Sequence, residues 1–299
     1  MGHAHHHAPS NYNRAFAIGI SLNVLFVLIE VYYGLVAHSM ALLADAGHNL
    51  GDVLGLIIAW GATILTLRKP TTQHTYGWRR SSILAALLNS LILMLAIGAI
   101  AWESIQRLSQ PVATEGLTVI IVALLGAAIN TATALLFMKD SGHDLNIRGA
   151  YLHMAADAAV SFGVALGGVV MLFTAWFWLD SVISLLIVGV IMISTWQLFR
   201  QSLDLAMDAV PDHVDLPAVK SYLQNLPEIK EVHDLHIWAM STTETALTAH
   251  LVHCVSPLDD QLTRAISHEL QHRFQIQHTT LQFETDANLC QGGCESHAV

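Results

Sequence analysis

The sequence predicts a membrane protein built as an all-α bundle of six transmembrane helices followed by a cytoplasmic α+β domain. Of its 299 residues 54% are hydrophobic and only 12% are charged, whereas soluble domains average about 25% charged residues. Six apolar segments each reach the ~20 residues that a helix needs to cross ~30 Å of hydrocarbon. The last hundred residues are polar and alternate between helix-like and strand-like patterns, which indicates a second domain.

The apolar segments define a transmembrane domain over residues 14–200. Their approximate bounds are 14–36, 41–67, 82–105, 115–138, 147–172 and 179–200. Cationic side chains are concentrated on one side of the predicted bundle, and Arg107 is the single one on the other side. The positive-inside rule therefore predicts that both termini are cytoplasmic. The cations on the cytoplasmic side are Arg14, Arg68, Lys69, Arg79, Arg80, Lys139, Arg148 and Arg200.

Both ends of the chain carry histidine or cysteine residues, whose side chains are common metal ligands. Residues 1–13 contain His3, His5, His6 and His7, which fit a disordered terminus, a tag remnant or a weak metal-collecting tract. No signal peptide is predicted here, because a charged leading region and a small-residue cleavage site are missing. The chain has 3 cysteines, an odd number that favours a reducing compartment or metal ligation. In the tail at 287–299, Cys290 and Cys294 could form a short metal clip with His297.

A linking helix at 201–209 is predicted to precede a compact domain at 210–286 with helices on one side of a sheet. Asp215 is a suitable N-cap and Pro217 suits a first turn. The elements are predicted in the order helix, strand, strand, helix, strand, at 216–226, 232–240, 246–255, 259–274 and 279–284. The whole net charge of −10 falls after Arg200. This acidity suits a cationic partner such as a metal ion and argues against nucleic acid.

Two apolar segments carry the same pair of polar residues at the same spacing. His48 and Asp52 lie one helical turn apart in the second segment, and His153 and Asp157 lie one turn apart in the fifth. Side by side, two such helices supply two imidazoles and two carboxylates, a ligand set for tetrahedral zinc. Each pair could instead satisfy itself inside the bundle, but identical spacing on two helices favours a shared metal. Asp45 lies on the same stripe as His48 and Asp52.

Other acidic residues in the apolar segments have a structural interpretation. Glu30 is expected to make a hydrogen bond inside the bundle, although it could also carry a proton. Glu103 and Asp180 are expected to be solvated helix ends near the membrane interface.

These motifs resemble the cation diffusion facilitator family, and within it the bacterial zinc, cadmium and cobalt exporters that are similar to vesicular zinc transporters. The resemblance covers residues 14–286. It depends on the motifs around the two His–Asp pairs, on the His-Thr-Tyr-Gly-Trp-Arg loop and on two stretches of the C-terminal domain. Their ranges are 39–52, 146–157, 74–79, 232–238 and 278–284.

The resemblance implies a homodimer of six-span subunits, whose ferredoxin-like, metallochaperone-like cytoplasmic domains drive dimerisation. It assigns the transport site to His48, Asp52, His153 and Asp157. Relatives that transport iron or a broad range of metals carry Asp in place of His48, so the resemblance implies a preference for zinc. It also implies three sites outside the bundle. These are a regulatory site at His233, His250 and Glu284, a clip at Cys290 and Cys294 completed by N-terminal histidines of the other subunit, and a loop ligand at His74.

The sequence therefore predicts a proton-coupled antiporter that exports Zn²⁺, with Cd²⁺ and Co²⁺ as further candidates, across a bacterial inner membrane. Its predicted partners are Zn²⁺, H⁺, the lipid bilayer and a second copy of the chain. Zinc is expected as substrate and regulatory ligand, without an organic cofactor. Two alternatives are an intramembrane zinc enzyme and a metal channel. The first lacks a His-Glu-x-x-His or Gly-x-Ser-x-Gly motif, and the second conflicts with a four-ligand site that would hold zinc too tightly.

Overall fold

The computed structural model describes residues 11–66, 68–138, 145–253 and 260–285. Six long apolar helices come first, and two shorter helices and three strands follow. The long helices are α1 (Asn11–Val36), α2 (Met40–Thr66), α3 (Ser81–Ser109), α4 (Gly116–Met138), α5 (Leu145–Thr174) and α6 (Trp178–Ala206). The later elements are α7 (Leu216–Gln224), β1 (Ile229–Ala239), β2 (Thr245–His253), α8 (Asp260–Phe274) and β3 (His278–Glu284).

Four of the long helices contain stretches with the length and composition of membrane spans. Within the described residues, four helical stretches are long and apolar enough to cross a bilayer, and Asn23–Val36 of α1 is a shorter apolar stretch. Large apolar side chains such as Leu95 and Phe173 are exposed, which suits lipid rather than water. The predicted fold class is confirmed. The four long stretches are Ser81–Ser109, Gly116–Leu135, Tyr151–Thr174 and Trp178–Ala206.

The chain divides into two compact units, and the first contains Met1–Ile57 and Asn89–Gln197. Its core is formed by apolar side chains from several of the long helices, among them Leu42, Ile97 and Val164. Helices α4 and α5 approach closely where two glycines face each other. A Cβ atom on Gly116 would lie 2.9 Å from the carbonyl oxygen of Gly168, so a larger residue would force these two backbones apart.

The second unit contains Ile58–Leu88 and Leu198–Val299, and it includes the C-terminal α+β domain. The three-stranded sheet has the order β1-β2-β3, in which β1 and β2 are antiparallel and β2 and β3 are parallel. The side chain of Asp215 caps α7 by accepting a hydrogen bond from the amide of Ala218, as its sequence position predicts. Buried residues of α7, α8 and the sheet, such as Leu223, Leu247 and Leu270, form one core. The element order αββαβ matches the prediction.

One detail differs from the sequence-based expectation. Helix α6 itself is not the difference: it continues to Ala206, into the residues expected to form a linking helix, because the sequence has no Gly or Pro between Gly189 and Pro211. The prediction that Asp180 is a solvated helix end is wrong. Asp180 is buried and accepts hydrogen bonds from the hydroxyl of Ser39 at 2.5 Å and the amide of Met40 at 2.6 Å. The short α1–α2 connection exposes unpaired amides at the start of α2, and this carboxylate satisfies them.

Candidate metal centres

Helices α2 and α5 bring the two predicted His–Asp pairs to one place in the first unit. The shortest contacts cross between the helices. Nε2 of His48 lies 3.3 Å from Oδ1 of Asp157, and Nε2 of His153 lies 3.0 Å from Oδ2 of Asp52. The contacts within each helix are longer, at 3.9 Å for His48–Asp52 and 3.6 Å for His153–Asp157. We call these four residues the helix centre.

The helix centre has the dimensions of a zinc site. One ligand atom from each of its four residues lies within 4.8 Å of every other. A tetrahedral zinc ion with bonds of ~2.1 Å separates its ligand atoms by about 3.4 Å. The four separations between an imidazole nitrogen and a carboxylate oxygen, 3.0 to 3.9 Å, bracket that value. The side chains therefore require little movement to surround a zinc ion.

Burial differs strongly among the four ligands. The Asp157 side chain is 3% exposed, His48 is 22% exposed, and Asp52 and His153 are each 42% exposed. The Oδ2 atom of Asp157 is buried and has no hydrogen-bond partner. A buried carboxylate oxygen without a donor is costly, and a bound cation would compensate it. The centre is thus closed at Asp157 and more open at Asp52 and His153.

Asp45, predicted on the same stripe, does not join these four residues. It is buried and accepts a hydrogen bond from the hydroxyl of Ser161 at 2.9 Å. Beside it, the carboxylate of Glu30 accepts a hydrogen bond from the side-chain amide of Asn49 at 3.2 Å. Neither Ser161 nor Asn49 is predicted from the sequence as part of this site. The available signal for Ser161 was its position one helical turn after Asp157.

The residues predicted for the regulatory site also converge, in the sheet of the C-terminal domain. His233 on β1 lies opposite His250 on β2, and Glu284 lies near the end of the neighbouring β3. Nδ1 of His250 is 2.9 Å from Oε1 of Glu284, and Nε2 of His233 is 3.3 Å from Oε2 of Glu284. We call these three residues the sheet centre.

The sheet centre has buried atoms that lack partners. Both ring nitrogens of His233 and Oε2 of Glu284 are buried without a hydrogen bond, although Nε2 of His233 and Oε2 lie 3.3 Å apart. This donor set fits a divalent cation. Asp234, which is not predicted from the sequence as a site residue, lies 3.4 Å from His250 in a bulge of β1, where its φ is +50°. Nothing in the sequence signals this bulge.

Among the described residues, His74 is the other predicted metal ligand, and it does not belong to a group of metal-binding side chains. The ring of His74 stacks on Trp78 with a centroid separation of 4.3 Å. Within the parts of the chain that the structure describes, the groups of three or more metal-binding side chains are the helix centre and the sheet centre, and His74 is in neither. The predicted clip at Cys290 and Cys294, with the N-terminal histidines, lies outside the described residues.

Comparison with known proteins connects both units to one family. Residues 16–205 match the model of the cation efflux transmembrane domain, and residues 211–286 match that of the cation efflux protein cytoplasmic domain. A solved structure, the metal-bound C-terminal domain of the CzcD transporter from Cupriavidus metallidurans, is 34% identical. It covers 24% of this chain and 99% of that chain, with a TM-score of 0.22.

Full-length relatives extend the match along nearly the whole chain. The metal cation efflux system protein CzcD of Cupriavidus metallidurans is 36% identical, over 95% of this chain and 90% of its own. A cadmium, cobalt and zinc/H⁺-K⁺ antiporter of Bacillus subtilis is 33% identical, over 96% and 93%. Zinc transporter ZitB of Escherichia coli is 33% identical, over 95% and 93%. The resemblance drawn from the motifs is confirmed: the chain belongs to the cation efflux family of membrane transporters and is not an enzyme.

Proposed function

We propose that this protein exports Zn²⁺ from the cytoplasm in exchange for protons and that the helix centre carries the ion. The observation that carries the proposal is the convergence of two imidazole nitrogens and two carboxylate oxygens, within 4.8 Å of one another, on two membrane helices. The names of the relatives, which include zinc transporters and an antiporter, support the same function. Mixed nitrogen and oxygen ligands also accept Cd²⁺ and Co²⁺, which we propose as secondary substrates.

Proton coupling follows from the chemistry of the ligands. An imidazole binds metal only when its nitrogen is free of a proton, so Zn²⁺ and H⁺ compete for His48 and His153. Each imidazole lies beside a carboxylate of the other helix, at 3.3 Å and 3.0 Å. After the metal leaves, a protonated imidazole can donate a hydrogen bond to that carboxylate. Two protons then replace the two positive charges of zinc and keep α2 and α5 together.

The presence of four protein ligands favours zinc transport over zinc-dependent catalysis. They saturate tetrahedral zinc and leave no position for an activated water. Alternation of the bundle between two faces would release the metal on the side where a lower pH protonates the ligands. We propose the inner membrane as the location, with both termini cytoplasmic.

The C-terminal domain is proposed to join two copies of the chain, as its match to a family cytoplasmic domain and the motif resemblance suggest. Zinc at the sheet centre would stabilise one arrangement of that dimer. Removal of residues 205–299 is therefore expected to abolish the dimer in native mass spectrometry and to remove activation by cytoplasmic zinc. A truncated protein that remained dimeric and zinc-activated would contradict this assignment.

Zinc flux into sealed proteoliposomes with an acidic interior tests the transport proposal. Wild-type protein is expected to take up zinc in proportion to the pH gradient, and Asp52→Ala is expected to abolish uptake. Asp260→Ala, an exposed position on α8, is the matched control and should transport normally. Uptake that ignores the gradient would favour a channel and contradict antiport. Full uptake by Asp52→Ala would contradict the site assignment.

A further inference from the structure

Two acidic side chains beside the helix centre are completely buried. Glu30 on α1 and Asp45 on α2 both have an exposed fraction of 0%. One oxygen of each is satisfied, since Oε2 of Glu30 accepts from Asn49 and Oδ2 of Asp45 accepts from Ser161. The other two oxygens, Oε1 of Glu30 and Oδ1 of Asp45, are buried and lack any donor. Each carboxyl group therefore has one unexplained oxygen.

The two carboxyl groups belong to one buried cluster, because Asn49, which donates to Glu30, lies one helical turn after Asp45 on α2. Two adjacent carboxylates without solvent repel each other strongly, so such pairs share a proton. One proton between Glu30 and Asp45 would convert one group into a donor and satisfy both unpaired oxygens. Among the described residues, the titratable groups that face Asp45 are Glu30, His48 and Asp157, and Asp45 faces Glu30.

We propose that Glu30 and Asp45 form a proton-binding site, separate from the metal ligands, that releases its proton when a divalent cation occupies the helix centre. We call these two residues the acid pair. This inference rests on the proposed function, because it adds a proton to the exchange at the same centre. Of the two roles that the sequence allows for Glu30, the proposal adds that of a proton carrier to the expected structural hydrogen bond.

The position of the acid pair explains how it would sense the metal. Asp45 lies one helical turn before His48, and its partner Ser161 lies one turn after Asp157. Asn49, which donates to Glu30, directly follows His48 in the chain. A divalent charge at the helix centre stabilises the ionised form of a nearby acid by Coulomb attraction, which is strong where water is excluded. The proton leaves to solution as zinc binds, and another is taken up after zinc is released.

Glu30→Gln is a sharp test because glutamine retains the hydrogen bonds and removes the proton. Its carbonyl oxygen can still accept from Asn49, and its NH₂ group can donate to Asp45. The readout is the number of protons released per zinc ion bound. Titration calorimetry of the full chain in lipid nanodiscs, in two buffers of different ionisation enthalpy at one pH, measures that number. Glu115→Gln, an exposed acid bonded to Thr118, is the matched control.

Glu30→Gln is expected to bind zinc and release up to about one proton fewer than the wild type, whereas Glu115→Gln releases the same number. An unchanged number in Glu30→Gln would overturn the inference. Infrared spectroscopy of the wild type adds a test that needs no variant, since a shared proton gives a carboxylic acid C=O band in the metal-free protein that zinc removes. Absence of this band, or its persistence with bound zinc, would overturn the inference. Loss of gradient-driven uptake by the wild type would overturn the transport proposal alone, because the metal-free band does not depend on transport.

Discussion

The carboxylate of Asp180 accepts a hydrogen bond from the backbone amide of Met40 at 2.6 Å, although 140 residues separate them in the chain. The same carboxylate accepts from the Ser39 hydroxyl, so the first turn of α6 caps the first turn of α2. Negative charge is favourable at a helix N-terminus, where backbone amides are unpaired. Helix α2 carries His48 and Asp52 two to three turns later. This contact therefore helps to fix the position of these two metal ligands along the axis of the bundle.

Asp180→Ala is expected to destabilise the protein without touching the metal ligands. It leaves buried amides and a hydroxyl without an acceptor, at a cost of about 1–3 kcal/mol. The expected results are a lower midpoint of thermal unfolding and weaker zinc binding, measured in nanodiscs. Asp180→Asn retains an acceptor oxygen, so its midpoint of thermal unfolding should lie between those of Asp180→Ala and the wild type. Equal midpoints for Asp180→Ala and wild type would contradict a capping role.

His48→Asp is expected to change which metal the helix centre prefers. The variant replaces an imidazole by a carboxylate and gives a site with one nitrogen and three carboxylate ligands. Hard oxygen ligands favour Mn²⁺ and reduce the advantage of zinc. In proteoliposomes, Mn²⁺ should therefore inhibit zinc uptake by His48→Asp more strongly than it inhibits uptake by the wild type. His236→Asp, at an exposed position outside both centres, should leave the competition unchanged. If His48→Asp had the same preference for zinc over Mn²⁺ as the wild type, His48 would not determine which metal the helix centre prefers.

The sequence predicts the helix centre well because the signal is local. The spacing of His48 and Asp52 repeats at His153 and Asp157, and a membrane helix fixes the direction of each side chain. Placing a polar side chain in an apolar membrane segment costs free energy, so each of these four residues indicates a function. The same reasoning could not separate Asp45 from its neighbours on the stripe, because its partner depends on how α1, α2 and α5 pack.

The C-terminal domain was predictable as a set of elements and less so as a site. Alternation of apolar residues located β1 and β2, and the capping residue Asp215 located α7. The pairing of His233 with His250 depends on register, which a bulge in β1 alters between His233 and His236. Asp180 shows the same limit in the first unit, since a helix-end acid gives no sign of the distant amides that it caps.

His233→Ala is expected to remove one zinc ion per chain while retaining transport by the helix centre. The variant takes an imidazole from the sheet centre, where Glu284 has a buried oxygen without a partner. Equilibrium dialysis of the full chain should show zinc content lower by about one ion, since a three-ligand site seldom survives the loss of a ligand. His236→Ala serves as the control on the same strand. Unchanged zinc content in His233→Ala would contradict a metal at the sheet centre.

Arg79→Ala is expected to have a small, salt-dependent effect on stability within the second unit. Nη1 of Arg79 lies 2.8 Å from Oε2 of Glu244, and both side chains are more than one-third exposed. Exposed ion pairs contribute about 0.2–1 kcal/mol and weaken as salt screens the charges. A double-mutant cycle of Arg79→Ala and Glu244→Ala in nanodiscs should give a coupling energy in that range at low salt and near zero in molar salt. Arg273→Ala, whose contact with Glu269 is longer at 3.9 Å, provides a comparison with weaker coupling. A coupling energy that persisted in molar salt would contradict an exposed ion pair. It would indicate that buried contacts hold the α2–α3 loop, which contains Arg79, against the β1–β2 turn, which contains Glu244.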